Sequence, residues 1–491
     1  MYSGDVFNPH LLLRYGFTQD LFECFSSLKY LHVELPLLMV RPYHVLIREQ
    51  VDQRLGNPLY LYMKQRQWNF YSMKDVQQKL QRIPQQILSL GTDSKRTTVL
   101  ICGQFIDFAL SQLSDKQVLI LQSNPHDQKA LQGKNLPENF HLFNLFETLR
   151  AYPLRRETNQ WIQENISKFE NEPFVKKHEI FSLPNFIPWL RSQLVHGIKL
   201  VEILTRLIYD HPIGIFLDHS ELVYPGNILS LLGRLYGIPF INVQNHLTND
   251  ASIIPSRATH YCVWGRHMTQ WLNKRGIPKS NIFEIGSLRL SNNEQFIKKN
   301  KEDLLRYLGI GENKFIIAFT TQCYFDYINH SIMEWMKKAT EQLPILVIVN
   351  PHPSDHLSYE RYISEGMRLT PPGFHLQEIL YTSDLIATIS STTALEGALF
   401  KKGIVILQPE LPYDYHLNYN GYYQIMADGK GGISVHNGEE LILELKKLMS
   451  DPRYYEENAE KGQHILHEML TLGEIKPQER LKNLLDELFF K

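Results

Sequence analysis

Short runs of apolar, often β-branched residues recur along most of the chain, and turn-forming residues close each run. In the first half these runs are residues 98–102, 117–121, 213–217, 240–243 and 260–264. Short continuous apolar runs are typical of parallel strands that are buried on both faces of a sheet. The pattern therefore predicts a parallel sheet, with residues 260–264 as its last strand.

The second half of the chain repeats this alternation of apolar runs and longer, mixed segments. Its runs are residues 315–320, 345–350, 385–389, 404–407 and 432–435, and residues 438–490 read as helix. Strands that alternate with helices form doubly wound sheets. The predicted fold class is therefore α/β, with two Rossmann-like domains and an N-terminal extension.

The chain has 491 residues, which is more than one core of ordinary size takes in. We predict a Rossmann-like acceptor domain over residues 96–285 and a second Rossmann-like domain, for the donor, over residues 286–491. The crossover between them is placed at residues 285–287. Residues 1–95 carry no recognisable chemistry and form an extension of unknown role.

Charge and cysteine content narrow the function classes. Lys and Arg number 51 and Asp and Glu number 52, a balance that argues against a protein held to nucleic acid by bulk charge. The cysteines are scattered and form no CxxC pair, which favours reduced thiols without a metal. The chain begins without a signal-peptide pattern and holds no apolar run near the ~20 residues of a spanning helix. We expect a cytoplasmic protein, and contact with the inner face of the membrane is left open.

A histidine flanked by two prolines follows the apolar run 345–350. Proline fixes φ and has no N–H, so the chain leaves the sheet stiffly at residues 351–353. Ligands of open α/β sheets bind at the carboxyl ends of the strands. His352, braced by Pro353, could there donate a hydrogen bond to a phosphate, a base or a sugar hydroxyl. The alternative is a histidine that only packs in a tight turn.

Four residues with hydroxyl groups stand in a row after the apolar run 385–389: Ser390, Ser391, Thr392 and Thr393. A helix of small residues is predicted directly after them, and a helix N-terminus with hydroxyls beside it favours phosphate. Glu396 falls in the first turn, where it could hold a ribose. The alternative is a capping box of Thr393 and Glu396. Because capping leaves the other hydroxyls unexplained, we predict phosphate binding.

A further histidine follows the run 240–243 in the first half. A neutral His246 at this place could act as general base on an acceptor hydroxyl, whereas a hydrogen-bonded loop histidine is the alternative. Asp218 and His219 end the preceding strand and are rival candidates for the same role.

The chain contains no Asp-x-Asp triplet, the carboxylate pair with which many transferases hold a divalent ion on a pyrophosphate. A helix dipole, hydroxyls and His352 could supply that positive potential instead. We therefore expect no metal and no other cofactor. GxSxG and HExxH are also missing, so serine-hydrolase and zinc-protease functions lack support.

Taken together, these motifs resemble those of the GT-B glycosyltransferases. Within them the chain is similar to the bacterial surface-polysaccharide group of capsule polysaccharide transferases, polysialyltransferases and CDP-glycerol glycerophosphotransferases. That group has a His-Pro element and a Ser-Ser or Ser-Thr element, which His352-Pro353 and residues 390–392 match here. Residues 263–265 and 285–287 are similar to its Trp-Gly and Gly-Ser crossover. Some members carry Gln-x-x-His-Gly where residues 244–246 of this chain are followed by a leucine.

The resemblance implies two domains that face each other across a cleft, and a metal-independent glycosyltransferase. The substrates would be a CMP- or UDP-linked donor and a cell-surface glycan or lipid-linked glycan acceptor, and a polysaccharide-assembly complex is a further expected partner. Residues 391–393 would bind the donor phosphate, His352 would stabilise the leaving nucleotide, Glu396 would hold the ribose, and His246 or Asp218 would deprotonate the acceptor. Two alternatives are a UDP-amino-sugar 2-epimerase-like enzyme and a non-catalytic GT-B binding module.

Overall fold

The computed structural model describes residues 7–83, 88–89, 96–290, 297–311, 314–355, 357–411 and 421–490. The chain divides into two compact units. The first unit consists of Val6–Val263, Thr269–Ile285 and Ile475–Lys491, and the second contains Trp264–Met268 and Gly286–Glu474.

The N-terminal part of the first unit is helical apart from one short hairpin. Its elements are α1 (Pro9–Cys24), β1 (Lys29–Tyr30), β2 (Val33–Glu34), α2 (Val40–Leu46), α3 (Arg48–Asp52), α4 (Pro58–Trp68) and α5 (Met73–Leu80). Asn8, Asn57 and Ser72 each accept a hydrogen bond from a first-turn amide of α1, α4 and α5. These side chains satisfy amides that a helix leaves unpaired, and so they determine where the three helices begin.

α1 and α4 approach each other closely at Gly16. A Cβ atom added there would lie 2.0 Å from a ring carbon of Trp68. The Trp68 ring is buried, and its indole N–H donates to Asp20 at 2.9 Å. Because no side chain fits at residue 16, glycine at this position allows the spacing of the two helices.

A parallel sheet of seven strands forms the core of the first unit. Its strands are β3 (Thr98–Cys102), β4 (Gln117–Gln122), β5 (Phe140–Asn144), β6 (Ile213–Asp218), β7 (Phe240–Val243), β8 (His260–Val263) and β9 (Ile282–Glu284). Their order in the sheet is β5-β4-β3-β6-β7-β8-β9. The chain reverses its direction of travel across the sheet between β3 and β6, which is the place where doubly wound sheets bind ligands.

Helices surround this sheet and connect its strands. They are α6 (Ile106–Gln112), α7 (Pro125–Leu131), α8 (Leu145–Ala151), α9 (Arg156–Asn171), α10 (Pro173–Lys177), α11 (Phe186–Asp210), α12 (Gly226–Tyr236), α13 (Asp250–Ile253) and α14 (Arg266–Lys274). α11 buries Leu190, Leu194, Ile198 and Val201, whose spacing of three or four residues forms one apolar face. No helix in the described ranges is both long and apolar enough to cross a bilayer.

A parallel sheet of six strands forms the core of the second unit. Its strands are β10 (Phe315–Thr320), β11 (Ile345–Asn350), β12 (Met367–Leu369), β13 (Leu385–Thr388), β14 (Gly403–Leu407) and β15 (Ile433–Val435). The order is β12-β11-β10-β13-β14-β15, so the change of direction lies between β10 and β13. β10 and β11 pair in register from their first to their last residues, and their carboxyl ends are therefore level.

The helices of the second unit lie on both faces of its sheet. They are α15 (Lys301–Leu308), α16 (Asp326–Gln342), α17 (Leu376–Thr382), α18 (Thr393–Leu399), α19 (Tyr422–Ala427), α20 (Gly438–Ser450) and α21 (Pro452–Met469). Two apolar clusters, one on each side of the strands, fill the space between helices and sheet. Alternate strand residues such as Ile317 and Ile316 belong to opposite clusters, as the period of two requires.

The last helix, α22 (Pro477–Phe490), belongs to the first unit, although the second unit precedes it in the chain. Leu481 and Leu485 of α22 are fully buried. Lys116 forms an ion pair with Asp486 at 2.9 Å, and Arg480 donates to the carbonyl of Ile285 at 3.2 Å. These contacts make α22 an integral part of the first unit.

The predicted fold class is confirmed, because each unit is a Rossmann-like α/β domain. Ten predicted strands are present. Residues 260–264 were wrongly predicted to be the last strand of their half, since β9 follows. The pattern also missed β5 and β12, which, like β9, are edge strands with partly exposed residues and no continuous apolar run.

We expect Gly16→Ala to destabilise the first unit by about 1–3 kcal/mol, the range of overpacked cores, because the new methyl group overlaps the Trp68 ring. Thermal unfolding followed by circular dichroism measures the change. Gly56→Ala is the matched control, since a Cβ there meets nothing within 4 Å. Equal midpoints for the two variants would contradict the close approach of α1 and α4.

Candidate functional site

Three neighbouring strands of the second unit end in polar segments at the same edge of the sheet. Residues 321–324 follow β10, His352 follows β11, and Ser390 follows β13. β11 and β13 flank β10, so their ends lie two strand spacings apart, or roughly 10 Å. The structure therefore places the predicted histidine and the predicted hydroxyl residues on one edge.

The segment after β10 holds the histidine on one side. Thr321 Oγ1 accepts a hydrogen bond from the backbone N–H of His352 at 2.9 Å and donates to Asp355 at 2.8 Å. Cys323 Sγ lies 2.9 Å from His352 Nδ1. These contacts fix the turn in which the imidazole stands, and the exposed Pro353 lies beside it.

The hydrogen bonds of the His352 ring indicate where its proton lies. The backbone N–H of Ser354 donates to His352 Nδ1 at 3.1 Å, so Nδ1 acts as the acceptor. The neutral ring then carries its proton on Nε2, which has no acceptor among the described residues. His352 is exposed, so its free N–H is available to a ligand.

The same segment holds the hydroxyl residues on its other side. Gln322 Oε1 accepts from the backbone N–H of Ser390 at 2.9 Å. The Tyr324 hydroxyl lies 3.2 Å from Ser390 Oγ. One stretch of four residues thus positions both loops, and the sequence had given no sign of this role for Gln322.

The backbone at Ser391 and Thr392 offers hydrogen-bond donors. Neither N–H group has an acceptor in the part of the chain that the structure describes, and both residues are partly exposed. The hydroxyl of Tyr422 donates a hydrogen bond to the carbonyl of Ser391 at 2.9 Å and so anchors the loop. Two adjacent amides without an acceptor, beside hydroxyl groups, are chemically suited to bind an anion such as a phosphate.

The capping-box interpretation of Thr393 and Glu396 is wrong. The helix α18 is capped at Thr392, without a side-chain cap hydrogen bond. Thr393 Oγ1 instead lies 2.7 Å from Thr320 Oγ1 in a buried contact between the helix and β10. The hydroxyl of Thr393 therefore joins two elements of the core, whereas those of residues 390–392 lie nearer the surface.

An arginine that the sequence analysis did not single out completes this edge. Arg289 Nη2 donates to Thr392 Oγ1 at 2.9 Å and to Glu396 Oε1 at 3.2 Å. Its side chain is 47% exposed, so the remaining guanidinium N–H groups can reach a ligand. The Gly-Ser element at residues 285–287 was matched only as a crossover between domains, and it gave no sign that the arginine two residues later reaches this edge.

Glu396 is almost fully buried, and its Oε2 has no hydrogen-bond partner among the described residues. Burial raises the pKa of Glu396, and the nearby charge of Arg289 opposes this without cancelling it. In this structure the carboxyl group orients the guanidinium of Arg289. The predicted contact of Glu396 with a ribose stays a prediction.

An Asp–His pair lies at the carboxyl edge of the first unit's sheet, at the switch point between β3 and β6. Asp218 ends β6 and is buried, and its Oδ1 accepts from the backbone N–H of His219 at 2.6 Å and from His219 Nδ1 at 3.0 Å. The proton on Nδ1 leaves Nε2 of the neutral ring as an acceptor. The buried Asp218 therefore orients the imidazole, and His219, with 20% of its side chain exposed, is the group that can accept a proton.

The surroundings of His219 act on its pKa in opposite directions. Burial lowers the pKa, but the hydrogen bond to Asp218 and the charge of that carboxylate raise it by more, and Asp127 adds to the rise. The net result is a pKa above the ordinary value, which suits a general base near neutral pH.

His246 lies in a different loop from Asp218 and His219. It is exposed in the loop after β7, and its ring centre lies 6.1 Å from that of His219 in an edge-to-face arrangement. The structure thus brings His246 next to His219. The catalytic role predicted for His246 stays a prediction.

The residues that could hold a metal ion are Cys102, Asp218 and His219. Among the described residues, one ligand atom from each lies within 4.8 Å of the other two. Cys102 Sγ is 3.7 Å from His219 Nδ1, and burial raises the pKa of the Cys102 thiol, which disfavours the thiolate that a metal needs. Metal independence stays our prediction.

No family model and no curated protein sequence matches the chain. The chain is similar to the structure of UDP-GlcNAc 2-epimerase from Neisseria meningitidis bound to UDP-GlcNAc, with 14% identity and a TM-score of 0.46 over 80% of this chain and 99% of that one. A glycosyltransferase from Rickettsia africae ESF-5 has 12% identity and a TM-score of 0.46 over 81% and 100%. The UDP-GlcNAc 2-epimerase of Methanocaldococcus jannaschii in complex with UDP-GlcNAc and UDP has 13% identity and a TM-score of 0.48 over 79% and 99%. These proteins are named for two kinds of reaction, and similarity at this level carries no conclusion about the reaction of this chain.

We expect Asp218→Asn to lower the pKa of His219, because the lowering effect of burial is then no longer opposed by the Asp218 carboxylate. Titration of histidine-labelled protein by NMR measures this pKa, and His219→Ala assigns the resonance. Asp107→Asn, at an exposed acid paired with Lys134, is the control that leaves the pKa unchanged. An unchanged pKa in Asp218→Asn would contradict the pairing.

Proposed function

We propose that this protein is a glycosyltransferase that moves a sugar from a nucleotide-activated donor to a glycan acceptor. The observation that carries the proposal is the set of N–H donors that a ligand can reach at one sheet edge of the second unit. They comprise the backbone amides of Ser391 and Thr392, the guanidinium of Arg289 and the Nε2–H of His352.

The charges around these donors favour an anion. The loops 321–324, 351–354 and 390–393 contain no acidic residue. The nearest carboxylate in sequence, Asp355, accepts hydrogen bonds from Thr321 and from Tyr359. A diphosphate placed at this edge would therefore meet N–H donors, among them the half-exposed guanidinium of Arg289, whose charge is shared with the buried Glu396. Charge-assisted hydrogen bonds such as those of a guanidinium are the stronger ones.

The reaction requires stabilisation of negative charge on the leaving group. The bond between the anomeric carbon and the phosphate oxygen breaks, and the electron pair stays on the phosphate, while the acceptor oxygen bonds to that carbon. Arg289, the two amides and His352 are proposed to stabilise the departing nucleotide, as preorganised donors do without a metal. Ser390 and Thr393 support the loop that carries these donors.

The acceptor hydroxyl must lose its proton in this step. We assign that proton to Nε2 of His219, which Asp218 orients through Nδ1. Asp218 itself is too deeply buried to meet an acceptor. His246 stands beside His219 and is proposed to contact the acceptor.

The donor is proposed to be a UDP- or CMP-linked sugar, and the acceptor a cell-surface glycan or lipid-linked glycan. The relation to capsule polysaccharide transferases, polysialyltransferases and CDP-glycerol glycerophosphotransferases belongs to the same proposal. It rests on His352-Pro353 and on the hydroxyl residues after β13, which the structure holds on one edge.

We expect calorimetry to show binding of UDP or CMP, and Arg289→Ala to weaken it roughly 10- to 100-fold, as the loss of a charged hydrogen bond does. His352→Ala should weaken it about 2- to 10-fold through loss of a neutral donor. Arg306→Ala, at an exposed arginine of the same unit, is the matched control and should bind like the wild type. If the wild type binds no nucleotide, the proposal fails.

We expect nucleotide release from a sugar nucleotide to depend on an added glycan acceptor and to persist in EDTA. His219→Ala should lower kcat about 10²- to 10⁴-fold, the usual contribution of a general base, while nucleotide affinity stays unchanged. Coupled assay of nucleotide release together with mass spectrometry of the glycan measures both. An isomerised sugar nucleotide formed without acceptor would instead indicate epimerisation, and binding without turnover a non-catalytic module.

A further inference from the structure

Two carboxamides form a bridge between loops at the carboxyl edge of the first unit's sheet. Asn245 Nδ2 donates a hydrogen bond to Gln104 Oε1 at 3.2 Å. Gln104 follows β3 and Asn245 follows β7, and these two strands flank β6 in the sheet. The bridge therefore joins the loops on both sides of His219, which follows β6.

Both ends of the bridge are close in the chain to residues that lie near His219. The sulfur of Cys102, two residues before Gln104, is 3.7 Å from His219 Nδ1. Asn245 directly precedes His246, whose ring centre is 6.1 Å from that of His219. A hydroxyl group bound by the bridge would therefore lie near the proposed base.

A buried carboxylate fixes the loop that carries Gln104. Asp127 is fully buried and accepts hydrogen bonds from the backbone N–H groups of Gln104 at 3.2 Å and of Ser123 at 2.9 Å. A Cβ atom added at Gly103 would lie 2.7 Å from the Cβ of Asp127, so the two loops are in close contact. The side chain of Gln104 thus extends from a firmly held backbone, as a preorganised binding group requires.

Each carboxamide of the bridge keeps one group for a ligand. Among the described residues, Gln104 Nε2 has no acceptor and Asn245 Oδ1 has no donor, and both side chains are partly exposed. If both amide groups turn by 180°, the same pair of one donor and one acceptor remains. A sugar hydroxyl both donates and accepts hydrogen bonds, so the hydroxyls of a sugar ring match this pair.

The charges at this edge disfavour an anion. No lysine or arginine occurs in the four loops that follow β3, β4, β6 and β7, which are residues 103–105, 123–124, 219–225 and 244–249. Asp218 and Asp127 are the charged groups that act on the pKa of His219, and no cation of the described residues acts on it. An uncharged sugar is therefore better suited to this edge than one that carries a carboxylate or a phosphate.

We propose that Gln104 and Asn245 bind the hydroxyl groups of an uncharged sugar and determine the specificity of the acceptor site. That this sugar belongs to the acceptor rests on the proposed glycosyl transfer, whereas its binding can be measured without a nucleotide. A glycan acceptor would present a neutral sugar at this edge, and an acidic sugar would bind more weakly.

Saturation-transfer NMR titrations with methyl glycosides test this. The neutral probes are the glycosides of glucose, galactose, mannose and N-acetylglucosamine, and the acidic probes are those of glucuronic, galacturonic and N-acetylneuraminic acid. We expect at least one neutral glycoside to bind, and every acidic one to bind at least tenfold more weakly. Binding of no neutral glycoside, or equally strong binding of an acidic one, would overturn the proposal.

Gln104→Glu separates the ligand contact from the bridge, because it keeps the oxygen that accepts from Asn245 and removes the free N–H donor. We expect it to weaken binding of the neutral glycoside roughly 2- to 10-fold, as the loss of one neutral hydrogen bond does, and Asn245→Ala to do the same. Gln67→Glu is the matched control, since Gln67 is an exposed glutamine of the same unit whose oxygen accepts from Lys64 at 3.3 Å.

Thermal unfolding checks that each variant is folded, and Gln104→Glu decides if Asn245→Ala is not. Unchanged affinity in Gln104→Glu would contradict the assignment. Failure of this inference is distinguishable from failure of the proposed function. If the wild type binds a neutral glycoside but neither UDP nor CMP, glycosyl transfer fails and the sugar site stands. If it binds a nucleotide but no neutral glycoside, only the sugar site fails.

Discussion

The arrangement of the second unit's site depends on hydrogen bonds from one short segment. Residues 321–324 leave the central strand β10 and bond to the loops after both of its neighbours. Backbone hydrogen bonds join the strands of a parallel sheet, but they do not join the loops at the carboxyl ends. Without other contacts, each loop would move independently. Thr321 and Gln322 supply the missing connection through one hydroxyl and one carboxamide. The spacing between His352 and Ser390 is therefore fixed by hydrogen bonds to the segment that directly continues the central strand.

The two sheets place opposite chemistry at the same topological position. At the switch point of the second unit, two backbone amides and an imidazole N–H have no acceptor in the described chain, and the guanidinium of Arg289 is half exposed beside them, so this edge is suited to negative charge. At the switch point of the first unit, a buried carboxylate holds an imidazole whose outer nitrogen can accept a proton. The edge of one sheet is thus suited to an anion, and the edge of the other to a proton.

The sequence reveals the buried strands because a strand covered on both faces has to be apolar throughout. It does not reveal β5, β9 and β12, whose edge positions allow polar residues such as His141 and Glu284. His352 and the hydroxyl residues could be found because they directly follow apolar runs. Arg289 could not be found in this way, because it contacts Thr392 from more than a hundred residues away in the chain. No local pattern encodes such a contact. For the same reason the sequence did not show the structural role of Thr393, whose partner Thr320 lies far away in the chain at the end of β10. Asp218 and His219 were identified together as rivals to His246, but the sequence does not show which of the two adjacent residues is buried.

The position of α22 affects the order in which the protein can fold. The helix lies in the first unit, yet its residues are synthesised only after the whole second unit. At usual rates of translation, roughly ten to forty seconds separate the two events. During that interval the nascent first unit lacks Leu481 and Leu485, and the surface that will bury them faces solvent. While the second unit is being synthesised, the ribosome-bound chain thus carries an unfinished first unit, and a chaperone that shields apolar surface would have its substrate there.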